Sequence, residues 1–223
     1  MTKYVIIAAG GLGMRMKSPI PKQLLLVNDV PIIIHTINKF QFAIKNIKAI
    51  VVLPKDQIDN WEKFCMEHEF QFNHQICAGG ETRFHSIKKG LELIEHPGLV
   101  GIHDAVRPLV SIDLIQNIFE FAEKNGNAIP AIPLNESIRV LDEKKSKTVD
   151  RSKYRIIQTP QCFHSDLLKQ AYQQEFSESF TDDASVVEKT GAIINLVDGD
   201  INNIKITTQQ DLLIAETLIA SGI

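Results

Sequence analysis

Short apolar runs and longer mixed segments alternate along the chain, and this alternation predicts strands and helices in turn. The runs are rich in β-branched residues and short enough for buried strands, and several of the intervening segments open at a Ser, Thr or Asp that can cap a helix. Strands are predicted at residues 4–9, 47–53, 74–77, 99–103, 128–133 and 193–197, and helices at 31–42, 57–69, 83–95, 113–125, 165–175, 182–190 and 209–221. The pattern predicts an α/β fold with a mostly parallel, doubly wound sheet.

One segment, residues 134–158, interrupts this alternation because it is polar and charged. Two short stretches with strand character, 137–141 and 154–157, flank a middle that is typical of a turn. The segment is either a surface hairpin with a solvated tip or an arm that leaves the domain and covers a site or a partner. Composition alone favours the surface hairpin.

Composition and charge narrow the classes of function. The chain has 223 residues, of which 44% are hydrophobic, so we expect a single domain spanning 1–223 with a substantial core. A net charge of −3 argues against a general nucleic-acid surface and favours a small-molecule partner.

The cysteines and the longest apolar runs predict a cytoplasmic location. Cys65, Cys77 and Cys162 form no Cys-x-x-Cys pair, which is typical of free thiols in a reducing compartment. No apolar run approaches the roughly 20 residues that span a bilayer, and the first strand lacks the flanks of a signal peptide. We therefore expect neither a membrane segment nor a disulfide.

The chain opens with a strand that runs directly into a glycine-rich turn. Gly10, Gly11 and Gly13 let backbone N–H groups approach a ligand, and Arg15 and Lys22 add positive charge. This spacing matches neither the P-loop nor the dinucleotide fingerprint, since Met16 stands where the last glycine of the latter belongs. The turn therefore predicts a phosphate site of another design.

Other polar residues follow the later strands, where ligands gather in open α/β sheets. Gly80 begins a second glycine turn that leads to Arg83 and Ser86, which suits a sugar or a base. Asp104 either ligates Mg²⁺ or serves as a helix cap or an ion-pair partner of Arg107.

Two C-terminal motifs leave their roles open. Residues 181–185 have the composition of a helix start. Lys205 lies in a polar strand end and is either solvated or bound to a phosphate. The signatures of serine hydrolases and zinc proteases are absent from the sequence, which leaves phosphate chemistry run by cations and a metal.

Together, these motifs resemble the 2-C-methyl-D-erythritol 4-phosphate cytidylyltransferase family over nearly the whole chain. They are Gly10-Gly11-x-Gly13-x-Arg15-Met16 with Pro21-Lys22-Gln23, Gly79-Gly80-x-x-Arg83-x-x-Ser86, His103-Asp104-Ala105-x-Arg107-Pro108, Val149-Asp150-Arg151, Thr159-Pro160-Gln161, Thr181-Asp182-Asp183-Ala184-Ser185 and Asn203-Ile204-Lys205-Ile206-Thr207. The resemblance implies a Rossmann-like nucleotidyltransferase fold, CTP and Mg²⁺ as partners, and a homodimer. It also favours the second interpretation of residues 135–158, as a β-arm that hooks around the other subunit.

The resemblance implies a role for each matching residue. Arg15 and Lys22 would be catalytic and stabilise charge on the transferred phosphate, and Asp104 would support Mg²⁺, whereas Asn202 stands where an acid is expected near the metal. Ser137 and Arg151 would reach the acceptor across the dimer interface. Contacts to CTP are implied for Ala9, Gly10, Gly11, Gly13, Arg15, Lys22, Gly80, Arg83, Ser86 and Asp104, and contacts to the sugar-alcohol phosphate for Arg107, Ser137, Arg151, Thr159 and Lys205.

Three alternatives remain at this point. The sister family of ribitol-5-phosphate cytidylyltransferases shares the opening loop, although residues 148–151, 159–161 and 181–185 favour methylerythritol phosphate as the acceptor. A non-catalytic nucleotide-binding protein on the same fold is disfavoured by the presence of both Arg15 and Lys22. A dehydrogenase is disfavoured by the missing dinucleotide fingerprint.

Overall fold

The computed structural model describes residues 1–10, 21–142 and 145–222, and a large mixed sheet runs through its centre. The strands in these ranges are β1 (Thr2–Ala8), β2 (Leu26–Val27), β3 (Val30–Pro31), β4 (Lys48–Leu53), β5 (His74–Ala78), β6 (Gly98–Asp104), β7 (Asn127–Pro133), β8 (Arg139–Asp142), β9 (Lys145–Thr148), β10 (Arg155–Ile157), β11 (Gln161–His164) and β12 (Leu196–Asp198). The large sheet joins eight of them, seven in the order β10-β7-β11-β6-β1-β4-β5, with β12 also pairing β7.

Within the described ranges, seven α-helices flank the strands, and each corresponds to a helix predicted from the sequence. They are α1 (Ile32–Ala43), α2 (Ile58–Glu67), α3 (Arg83–Glu92), α4 (Ile112–Asn125), α5 (Ser165–Ala171), α6 (Asp183–Glu188) and α7 (Gln209–Ala220). Thr82 caps α3, Ser111 caps α4, and Asp182 forms a capping box with Ser185 at α6. None of the helices in the described ranges is long and apolar enough to cross a membrane.

The four strands β5, β4, β1 and β6 are parallel, so their carboxyl ends meet at one edge of the sheet. Ala8 at the end of β1 is in register with Asp104 at the end of β6, and Leu53 with Ala78 on the other side. Both faces of this unit are covered, because Val5 and Ile7 face the helices α1 and α4 while Ile6 faces α3 and α5. Burial on both faces accounts for apolar runs without strict alternation.

Besides the short β2–β3 pair, which was not predicted, two features differ from the sequence prediction. The structure adds β11, which runs antiparallel between β6 and β7, at a position where no strand was predicted. Within the polar segment, β8 pairs with β9, whereas β10 joins the main sheet beside β7. The two stretches predicted to flank one turn therefore belong to different sheets, and β8 and β9 form an exposed hairpin within residues 135–158, the segment predicted as the arm.

Candidate functional site

Two adjoining cavities open at the carboxyl edge of the parallel strands. The first cavity measures about 380 Å³ and the second about 280 Å³, and they share Arg83, Asp104 and Lys205. The first is lined by Ala8, Ala9, Gly10, Lys22, Gln23, Gly80, Glu81, Thr82, Arg83, Ser86, Asp104, Ala105, Val106 and Lys205. The second is lined by Arg83, Asp104, Arg107, Ile157, Gln158, Thr159, Gln161, Thr181, Asp182 and Lys205.

Asp104 stands at the boundary of the two cavities with three cationic side chains around its carboxylate. Its Oδ2 lies 2.9 Å from Lys205 Nζ and 3.5 Å from Arg107 Nε, and its Oδ1 lies 3.8 Å from Arg83 Nε. Burial alone would raise the pKa of Asp104, but the charges of these three neighbours outweigh it and hold the pKa below its ordinary range. The carboxylate therefore stays ionised and sets the spacing of the cations.

His103 lies beneath this group and positions it without being part of a cavity wall. Its ring is fully buried, and this burial lowers its pKa to about 3, so the imidazole is neutral. The Thr159 hydroxyl accepts from the Asp104 N–H at 3.1 Å and lies 3.0 Å from His103 Nδ1. These contacts fix a tautomer in which Thr159 donates to Nδ1 and Nε2–H donates to the Arg107 carbonyl at 3.2 Å.

Asn203 connects Arg107 and Thr159 to the loop that carries Lys205. Its carbonyl accepts from Arg107 Nη1 at 2.7 Å, and its side-chain amide donates to the Thr159 carbonyl at 2.8 Å. Asn203 is fully buried. The loop is therefore held two residues before Lys205, which explains how a residue outside any strand reaches both cavities.

The second glycine turn is shaped around Ser86 of α3. The Gly80 N–H donates to the Ser86 hydroxyl at 3.1 Å. A Cβ at Gly79 would lie 2.9 Å from that hydroxyl, and a Cβ at Gly80 would lie 2.5 Å from His85 Cβ. A side chain at Gly80 would therefore collide with α3, and one at Gly79 would displace the Ser86 hydroxyl. Gly80 and Ser86 both line the first cavity.

The structure also shows two residues of the site for which no role was predicted from the sequence. Gln23 is 1% exposed, lines the first cavity beside Lys22, and donates to the Ala9 carbonyl at 2.8 Å. Asp183, taken only as part of a helix start, receives Arg83 in a bidentate ion pair at 2.9 and 2.6 Å. A second Asp directly after the capping Asp182 was the available signal, since one cap needs only one acceptor.

The predicted site residues divide into those that meet at the cavities and those that do not. Ser137 and Arg151 are exposed and line neither cavity, and Arg151 Nη1 donates to the Asn135 carbonyl. Asn202 also lines neither cavity, and its N–H donates to Asp200 Oδ1 at 2.8 Å. The predictions for Gly11, Gly13 and Arg15 fall outside the described residues.

Comparisons with known proteins match this chain over nearly its whole length. The family model for 2-C-methyl-D-erythritol 4-phosphate cytidylyltransferase matches residues 3–221. The enzyme of that name from Bacteroides thetaiotaomicron is 48% identical over 98% of this chain and all of its own length, and that of Porphyromonas gingivalis is 43% identical over 98% of each.

Solved structures agree with this match. The 4-diphosphocytidyl-2C-methyl-D-erythritol synthase of Anaerococcus prevotii superposes with a TM-score of 0.83 at 28% identity over 98% of each chain. The 2-C-methyl-D-erythritol 4-phosphate cytidylyltransferase of Francisella tularensis superposes with a TM-score of 0.81 at 31% identity over 97% of this chain and 99% of its own. These matches confirm the predicted fold class and the resemblance drawn from the motifs: the chain belongs to the 2-C-methyl-D-erythritol 4-phosphate cytidylyltransferase family and is a nucleotidyltransferase enzyme.

Proposed function

We propose that this chain transfers CMP from CTP to 2-C-methyl-D-erythritol 4-phosphate, giving CDP-methylerythritol and pyrophosphate. The observation that carries the proposal is the boundary at Asp104, where two cavities meet among cationic side chains. The larger cavity suits the nucleotide and the smaller one the acceptor. The family match and the names of the relatives favour methylerythritol phosphate over ribitol 5-phosphate.

The reaction requires anions to be brought together rather than a proton to be moved. An oxygen of the acceptor phosphate attacks the α-phosphorus of CTP, the bond to the bridging oxygen breaks, and pyrophosphate leaves with the electron pair. A phosphomonoester, with a second pKa of about 6, is already largely ionised at neutral pH. The site therefore needs no general base, and its main task is to stabilise negative charge on the α-phosphate.

The cations of the two cavities divide this task. Lys22, on the wall of the first cavity, would stabilise charge at the transferred phosphate together with Arg15. Arg107 and Lys205 lie on the second cavity and would hold the acceptor phosphate. Arginine favours such contacts because its planar fork matches two phosphate oxygens.

We also propose Mg²⁺ as the divalent cation of the reaction, with Asp104 as its protein ligand. Mg²⁺ commonly takes one or two carboxylates and completes its shell with substrate phosphates and water. Asp104 fits this mode because Arg83 Nε is 3.8 Å from Oδ1, too long for a hydrogen bond, while Lys205 occupies Oδ2. When bound, the ion would neutralise part of the triphosphate charge. Asn202 lines neither cavity, so its predicted place near the metal has no geometric support.

The arm supports a third proposal, a homodimer in which the arm completes the partner's site. Leu141 is 80% exposed and Val140 49% exposed on a two-stranded hairpin, a unit that is marginally stable in water on its own. Ser137 and Arg151 line neither cavity of their own chain. A second copy of the chain would cover the apolar side chains and receive these two polar ones.

We propose a cytoplasmic location for the enzyme. Cys65, Cys77 and Cys162 are all free thiols in the structure. Free thiols are typical of proteins in reducing compartments, where disulfides seldom form. This support is compositional and does not depend on the site.

The function is tested by a coupled pyrophosphate assay with CTP, Mg²⁺ and either acceptor. We expect pyrophosphate release with methylerythritol phosphate and little with ribitol 5-phosphate. Release with ribitol 5-phosphate alone would reverse the choice of acceptor. Release with neither, despite CTP binding by calorimetry, would favour a non-catalytic nucleotide-binding protein.

A further inference from the structure

Asp183 is a fully buried carboxylate whose two oxygens both face the guanidinium of Arg83. The distances are 2.9 Å from Nη1 to Oδ1 and 2.6 Å from Nη2 to Oδ2. A buried carboxylate is costly unless it is paired and hydrogen-bonded. Asp183 is therefore the ion-pair partner of Arg83, and the neighbouring Asp182 is the residue that caps α6.

The surroundings of Asp183 are fixed from two sides. The Tyr172 hydroxyl donates to Asp183 Oδ1 at 2.6 Å, and burial, with the nearby Asp183 charge, raises the pKa of Tyr172 well above its ordinary value, so it remains a donor. On the other side, Gln161 donates to Asp182 Oδ2 at 2.8 Å and accepts from the Ala184 N–H at 2.8 Å. The carboxylate has little freedom to turn away from Arg83.

Arg83 itself lies at the boundary of both cavities, where a small displacement of its guanidinium would change the spacing of the cations. Its Nε is 3.8 Å from Asp104 Oδ1, and Asp104 is the other carboxylate within ion-pair distance of it among the described residues. If the ion pair with Asp183 were lost, the Arg83 guanidinium would move toward Asp104. It would compete there with Lys205, whose Nζ lies 2.9 Å from Asp104 Oδ2. The cations would then no longer be spaced for two separate phosphate groups.

We propose that Asp183, supported by Tyr172, is a positioning residue that holds the Arg83 guanidinium between the nucleotide and acceptor cavities and keeps it off Asp104. The inference rests on the proposed function for its kinetic consequences, but the geometry it invokes belongs to the chain alone. Two N–H groups of Arg83 are used by Asp183, and the remaining donors stay available to ligands.

The primary test is Asp183→Asn, which keeps the size of the side chain and removes the charge that orients Arg83. We expect the kcat/KM for CTP to fall about 100-fold, the size of effect that a displacement of about 1 Å can produce in an active site. The split between constants is diagnostic: a loss of folded enzyme lowers the apparent kcat alone, whereas a displaced guanidinium raises the KM for CTP. An unchanged KM would overturn the inference.

A double-mutant cycle with Arg83→Ala separates positioning from general structural support. If Asp183 acts through Arg83, Asp183→Asn weakens CTP binding in the wild-type background and changes it little in the Arg83→Ala background. It should also raise the Tm of the Arg83→Ala protein, because that variant buries an unpaired carboxylate. Equal weakening of CTP binding in both backgrounds would contradict the inference.

Tyr172→Phe provides a milder variant in case the charge variants fold poorly. It removes one hydrogen bond and retains the ring stacked on Phe84 at 4.8 Å between centroids. We expect a rise of about threefold in the KM for CTP, and no rise would count against the support role of Tyr172. Calorimetric binding of CTP is read for every variant, so the inference is decided even if the wild-type chain releases no pyrophosphate, a result that would refute the proposed function alone.

Discussion

The boundary at Asp104 and the arm differ in how each brings functional residues together. At the boundary, Arg83, Asp104 and Lys205 come from distant parts of the chain, and the parallel strand ends and one loop gather them around a buried carboxylate. On the arm side, Ser137 and Arg151 are close in sequence, yet both are exposed and line neither cavity. One chain can therefore complete the charge arrangement of the boundary, whereas the arm residues would reach a site only in the proposed homodimer.

The largest expected effect tests the nucleotide side of the boundary through Lys22, which lines the first cavity. Lys22→Ala should lower kcat about 100- to 1000-fold, since one preorganised group that stabilises transition-state charge contributes an effect of that size. Binding of CTP should change much less. Steady-state kinetics with calorimetry of CTP binding give the measurement.

The matched control for this change is Lys124→Ala, an exposed lysine near the end of α4 and outside both cavity walls. It should leave both kinetic constants unchanged. A Lys22→Ala enzyme that loses only affinity for CTP would show that Lys22 binds the ground state and the transition state equally.

The second prediction tests the arm, and its expected effect is smaller. Arg151→Ala should lower kcat/KM for the acceptor about 10- to 100-fold, the cost of one charge-assisted contact, and leave CTP binding unchanged. Lys147→Ala, an exposed lysine on β9, is the matched control. The comparison becomes sharper when Arg151→Ala is coexpressed with Lys22→Ala.

Coexpression yields hybrid dimers of one Arg151→Ala chain and one Lys22→Ala chain. In a hybrid dimer, the intact Lys22 and the intact Arg151 are on different chains. If the arm serves the partner, random pairing should restore about a quarter of wild-type activity, because half of the dimers are hybrids and each has one working site of two. Activity no higher than the mean of the two single variants would show that the arm serves its own chain.

Sequence patterns predicted the boundary better than the arm for physical reasons. The strands β1, β4 and β6 are continuous apolar runs because both sheet faces are covered, and the register of parallel strands then brings their polar ends together. β11 was missed because Gln161–His164 has no distinctive pattern and owes its pairing to neighbours on both sides. The role of Asp183 was missed because its partner Arg83 is 100 residues away, while a local capping explanation was sufficient.

The smallest expected effect concerns the pH dependence of the free energy of unfolding, and it depends on His103, which is buried beneath the boundary. Burial lowers the pKa of His103 from its ordinary 6.5 to about 3, so between these values the unfolded chain binds a proton that the folded chain does not. The free energy of unfolding must therefore fall as the pH falls through this window. From pH 6 to pH 4.5, the contribution of His103 is about 2 kcal/mol.

His103→Gln removes the titrating group, and its amide retains a donor for the Arg107 carbonyl that His103 contacts. Urea unfolding of this variant should depend less on pH than that of the wild type, by about 2 kcal/mol over the same range. The range stays above the ordinary pKa of 3.8 for Asp104, so the contribution of that carboxylate is nearly constant. Parallel curves for His103→Gln and the wild type would mean that His103 is protonated in the folded chain, and the hydrogen bond from Thr159 to Nδ1 could then not exist.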